Sequence, residues 1–98
     1  MDLAEAISSH RCIEFTYQGH HRVVIPMAYG RTSASNAALR AYQTAGTSSS
    51  GPIPSSRPPS LFLEDQMVDA RYTGATFSAP PDGYSRGDKG FVIIYAEL

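Results

Sequence analysis

The chain has little of what many functional classes require. Its single cysteine, Cys12, excludes an internal disulfide and a multi-cysteine zinc site, and fits a reducing compartment. Eight basic residues against nine acidic ones leave a formal net charge of −1. No bulk positive charge is therefore available to coat duplex DNA, and any nucleic acid would have to be held by a local patch. No apolar run approaches the ~20 residues that cross a bilayer. The segment MDLAEAISSHR also lacks a basic region followed by an apolar core. The chain reads as cytoplasmic, with no membrane partner. Strand-like alternation begins by about residue 12, which leaves no room for the helical segments of a helix-turn-helix. There is no internal repeat.

What is present suits one compact domain spanning residues 1–98, a length that buries roughly two-thirds of its extended-chain surface on folding. Asp2 and Glu5 have the spacing of a capping box, and Leu3, Ala6, Ile7 and His10 recur at helical spacing, so the sequence predicts one short helix. RCIEFTYQG (Arg11 to Gly19) then alternates, with Ile13, Phe15 and Tyr17 on one face. Gln18-Gly19-His20 can turn the chain into a second strand, Val23 to Met27. Pro26 has no amide to donate and marks an edge, a bulge or the end of pairing.

The run from His21 to Gln43 is an extended segment, a Gly/Ser/Asn turn and a second extended segment. Strand alternation places Arg40 and Tyr42 on one face and Leu39 and Ala41 on the other. Residues 44–60 are mostly Ser, Pro and Gly, and are expected to form a flexible loop because they can bury too little apolar surface to offset their ordering entropy. Ser60 to Phe77 reads as a strand, a bend at Glu64-Asp65-Gln66, and another strand through Tyr72. Ala79 to Gly90 has the composition of an ordered surface loop. Gly90 to Leu98 is a continuous apolar strand, expected to be buried on both faces.

Several groups could carry chemistry. Arg40 with Tyr42 could accept a phosphate and a stacked base, or could simply form an exposed strand face. Arg31, Thr32, Ser33, Ser35 and Asn36 could present donors to an anion, or form an ordinary hairpin turn. Tyr84, Arg86 and Lys89 are either a second basic patch or a solvated loop. His10, Cys12, His20 and His21 are metal-ligand types, but their spacing matches no recognised site. Glu64, Asp65 and Asp69 could bind magnesium as a nuclease does, or be solvated carboxylates at a bend. Cys12 has no evident histidine partner, so no nucleophile with a placed base can be assembled and no enzyme is expected.

The segment from His21 to Gln43, followed after a loop by LFLEDQMV (Leu61 to Val68), resembles the WYL domain, a small module found mostly in bacterial transcriptional regulators and phage-defence systems. The resemblance covers residues 2 to about 77. DGYSRGDKGFVIIYAEL is similar to the tails of small standalone WYL-like proteins. It implies a mainly β (α+β) fold, an Sm-like, SH3-type barrel of five to six strands after a short helix. The motif departs from the family's. With Tyr42 in place of the family's later aromatic, the tripeptide falls on Ala37, Ala38 and Leu39, and only the leucine matches. Phe62 and Asp65 match the next strand, whereas the basic positions implicated in ligand binding fall on Ser60 and Gln66.

Together these features lead us to expect a non-catalytic module that binds a short single strand or nucleotide and signals to a transcription or phage-defence partner. Arg31, Arg40 and Arg57 would hold phosphate with Thr32 nearby, and Tyr42 and Gln43 would contact the base. No cofactor or metal is implied. The alternative is an association domain, a homodimer or adaptor, that has lost the ligand site and uses its apolar last strand.

Overall fold

The computed structural model describes residues 1–48, 51–52, 59–81 and 84–98. The first helix, α1 (Leu3–Ser8), begins where Asp2 accepts a hydrogen bond from the Glu5 amide at 3.1 Å, and it buries Leu3, Ala6 and Ile7. His10 lies outside the helix, at a φ of 55° that ends it and starts β1. β1 (Arg11–Tyr17) buries Ile13, Phe15 and Tyr17, as its alternation predicts. Gln18 and Gly19 form the two-residue turn, both at positive φ, which matches the twist of the flanking strands.

β2 (His20–Arg31) runs well past Met27 and is the spine of the fold. Its first half pairs with β1, its second half pairs with β7 (Ile93–Glu97), and β3 (Ala37–Ser48) pairs along its other edge. A bulge between Pro26 and Ala28 leaves Met27 as the extra residue, at the proline that cannot donate to a ladder. The bulge inverts the facing of the strand. Val24, before it, packs in the main core with α1, Phe15, Leu39 and Phe62, whereas Ala28, after it, packs with Ala38 and Phe91 on the other side of the sheet.

β4 (Gly51–Pro52) adds a two-residue ladder to the end of β3. β3 thus extends through residues 44–48, which the sequence assigned to a loop; residues 49–50 and 53–58 of that loop, including Arg57, lie outside the described residues. β5 (Ser60–Leu63) pairs with the outer edge of β3, a single 3-10 turn follows at Glu64–Gln66, and β6 (Val68–Thr76) returns to pair with β1. Six strands thus share one antiparallel sheet, extended by the short β4 ladder, and among the described residues no ladder joins β5 to β6 to close it.

The last strand corrects an expectation. β7 is not buried on both faces: Ile93 and Tyr95 are 50% and 49% exposed, as is Val92 just before it at 64%. Only Ile94 and Ala96 turn inward against the two clusters. β7 pairs with β2 alone and is a sheet edge, and a continuous apolar run cannot distinguish that position from a central one. Among the described residues, no helix is long and apolar enough to cross a membrane.

Candidate functional site

Arg40 stands on β3 opposite Ala28, on the face covered by the segment that leads into β7. Phe91 plugs into Ala28 and Ala38, and this anchors the preceding residues, 84–90, across the mouth of the sheet. A cleft of about 390 Å³ lies between them, within the range of small-ligand sites. Met27, Ala28, Pro59 and Tyr84 line it together with the charged Arg40, Arg86, Asp88 and Lys89. The sequence treated Arg40 and the 84–89 patch as separate candidates; the fold makes them one site.

The geometry inside the cleft is specific. Arg40 donates from Nε to Asp88 Oδ2 at 2.7 Å and from Nη2 to Oδ1 at 3.4 Å, and its Nη1 reaches the Pro59 carbonyl at 3.4 Å. The Gly90 amide donates to Asp88 Oδ1 at 2.8 Å. Burial alone would raise the Asp88 carboxyl, but the hydrogen bonds from Arg40 and Gly90 and the charge of Arg40 outweigh it and hold the group below its ordinary value. Gly90 packs closely on the pair: a Cβ there would lie 3.0 Å from Arg40 Nη2 and 3.1 Å from Asp88 Oδ1, so a side chain would have to shift them. Arg86 pairs with Glu97 at 3.1 Å, the Gly87 amide donates to the other Glu97 oxygen at 3.0 Å, and the Tyr84 hydroxyl donates to the Leu98 carbonyl. Lys89 is exposed and makes no ion pair with the described residues.

The remaining predicted ligand residues are dispersed. Arg31 lies at the β2–β3 turn, where it donates to the Tyr95 hydroxyl at 3.0 Å and to the Ser35 carbonyl at 2.6 Å. Thr32 closes that turn, its amide on the Asn36 carbonyl and its own carbonyl accepting from Ser35. Tyr42 is half-buried on the face shared with Arg40 but does not line the cleft. Gln43 faces the interior instead. It is buried, accepts from Arg22 at 3.4 Å and donates to the Ala45 carbonyl at 3.0 Å, so its amide is committed to the fold rather than to a base. Arg57 lies outside the described residues.

The groups considered for catalytic or metal chemistry are placed apart from the cleft. Among the described residues, no three His, Cys, Asp or Glu side chains gather to hold a metal ion. His10 stacks on Phe77, and Glu64 accepts from the Tyr29 hydroxyl at 2.6 Å. Burial pushes the Cys12 thiol up, opposite to the shift an activated nucleophile needs. Sequence reasoning missed Asp88. Its only signal was an acid flanked by cations in SRGDKG, 48 positions from the arginine it meets.

Compared with protein-family models, curated proteins and solved structures, the chain finds no match.

Proposed function

We propose that the chain is a non-catalytic sensing module that binds a nucleic-acid-derived anion, a nucleotide or the end of a short single strand, in the cleft beside Arg40. Occupancy would pass to a transcription or phage-defence partner in the cytoplasm. The observation that carries this reading is the convergence of three cations, a tyrosine and the apolar Met27, Ala28 and Pro59 around one cleft of ligand size. Phosphate would sit on Lys89, Arg86 and Arg40, and a base would stack on Tyr84, the combination that single-strand and nucleotide sites use. The strand order supports an Sm-like, SH3-type barrel in its open form. The strands at the two ends of the order β5-β3-β2-β1-β6 are consecutive in the chain and separated by one 3-10 turn and Met67.

Fluorescence polarisation with labelled oligonucleotides and competing nucleotides tests the reading. Lys89→Ala should weaken binding about tenfold or more, since one charge-assisted contact contributes about 1.5–3 kcal/mol. Absence of binding by the unmodified protein to every nucleotide and oligonucleotide at low salt would sink it.

A second reading, protein association, is favoured by the exposed apolar residues of β7. An edge strand with unpaired backbone groups is a ready surface for another strand.

A further inference from the structure

Asp88 sits where a ligand's own oxyanion would sit. Its two oxygens face the Nε and Nη2 edge of Arg40 side by side, the two-point grip that guanidinium groups give to carboxylates and phosphates. The pair closes a contact between residues 48 positions apart. The segment that delivers Asp88 has few other holds. Its ordered anchors, Tyr84 on Leu98 and Arg86 with Gly87 on Glu97, all end on the last two residues of β7 and its extension. Phe91 holds the far end in the small cluster with Ala28 and Ala38. Residues 84–90 therefore connect the arginine of the cleft to the edge strand of the sheet, with Gly90 packed closely on both members of the pair.

We propose that Asp88 is an internal competitor for Arg40, and that residues 84–90 form a latch which an anionic ligand opens by displacing the Asp88 carboxylate. This inference rests on the reading of the cleft as a ligand site. It supplies that reading with a route for the signal: a ligand that takes Arg40 frees the latch, and the latch is tied to Glu97 and Leu98, so the change arrives at β7. A ligand that binds only Lys89 and Arg86 leaves the Arg40–Asp88 pair closed and sends no signal. Ligand affinity in the resting protein is correspondingly reduced, because each binding event must first break an intramolecular pair.

The test uses the whole chain and a short fluorescein-labelled oligodeoxynucleotide, with inorganic phosphate as competitor. Asp88→Asn keeps the shape of the side chain and the acceptor for the Gly90 amide but removes the charge. It should tighten binding about tenfold, and the gain should vanish in the double variant Asp88→Asn/Arg40→Ala. Asp65→Asn, which removes an exposed carboxylate from the 3-10 turn, controls for net charge. Equal tightening by Asp65→Asn overturns the latch, as does an Asp88→Asn protein that binds no better than the unmodified one while Arg40→Ala still weakens it; in the latter case the ligand site stands. If neither the unmodified protein nor Asp88→Asn binds, the ligand site and the latch fall together. Hydrogen exchange gives a second readout: saturating probe should speed exchange of the Gly90 amide, which bonds the Asp88 carboxylate, and unchanged or slower exchange there rejects the latch.

Discussion

At the scale of single residues, Tyr29 shows how burial and a hydrogen bond set a titration. Its hydroxyl donates to Glu64 at 2.6 Å, and its pKa is pushed up to about 12 by burial first and by Glu64 second. Because the folded value lies above the ordinary value of 10.0, the contribution is fully present below pH 10.0 and is lost as pH rises through about 12. Tyr29→Phe should cost about 1.5 kcal/mol at neutral pH and should flatten the alkaline fall in stability, as measured by urea unfolding between neutrality and pH 12. A variant with an undiminished alkaline slope would show that another group carries it. Arg22 is a buried cation in the core. It is buried over the rings of Tyr17 and Phe62, and donates to the Tyr17 carbonyl at 3.1 Å. A charged residue in an alternating strand gives no such warning in sequence, since its partners come from elsewhere.

Among the elements, the junction of β2 with β7 is tightly constrained. A Cβ at Gly30 would lie 2.1 Å from the Ile93 carbonyl oxygen, so Gly30→Ala must push β7 off β2. We expect a loss of at least about 2 kcal/mol in chemical unfolding, with early hydrogen exchange of residues 93–97. Exchange there that matches the unmodified protein would contradict it. The elements that sequence made legible were those specified locally. The Asp2–Glu5 cap, the Ile13, Phe15 and Tyr17 alternation and the Gln18–Gly19 turn all report on neighbours within a few positions. The Arg40 and Leu39 faces of β3 follow from the same parity. The same parity puts Gln43 on the inward face of Leu39 and Ala41, which the reading of Gln43 as a base contact overlooked. What was not legible depended on which strand lies beside which: β7 became an edge and Arg40 met Asp88, each through pairings across long stretches of chain.

For the whole molecule, the open question of partners centres on the β7 edge. Val92, Ile93 and Tyr95 are exposed beside Arg31, which the Tyr95 hydroxyl helps to orient. If this edge serves association, Ile93→Lys should convert a concentration-dependent oligomer to a monomer in sedimentation velocity, because a buried ammonium at such a contact is costly. A protein that sediments as a monomer at every concentration, and retains no partner on pulldown, would remove the association reading. The bulge at Met27 has a further consequence, for which changes of length the fold can absorb. Since it shifts the parity of β2 midway, Val24 and Ala28, an even number of positions apart, line opposite clusters. Removing or adding one residue there would exchange Ala28 with Tyr29 and send each into the wrong cluster. Insertions and deletions through this strand are therefore restricted to pairs, whereas a two-residue turn such as Gln18–Gly19 fixes register by its geometry alone.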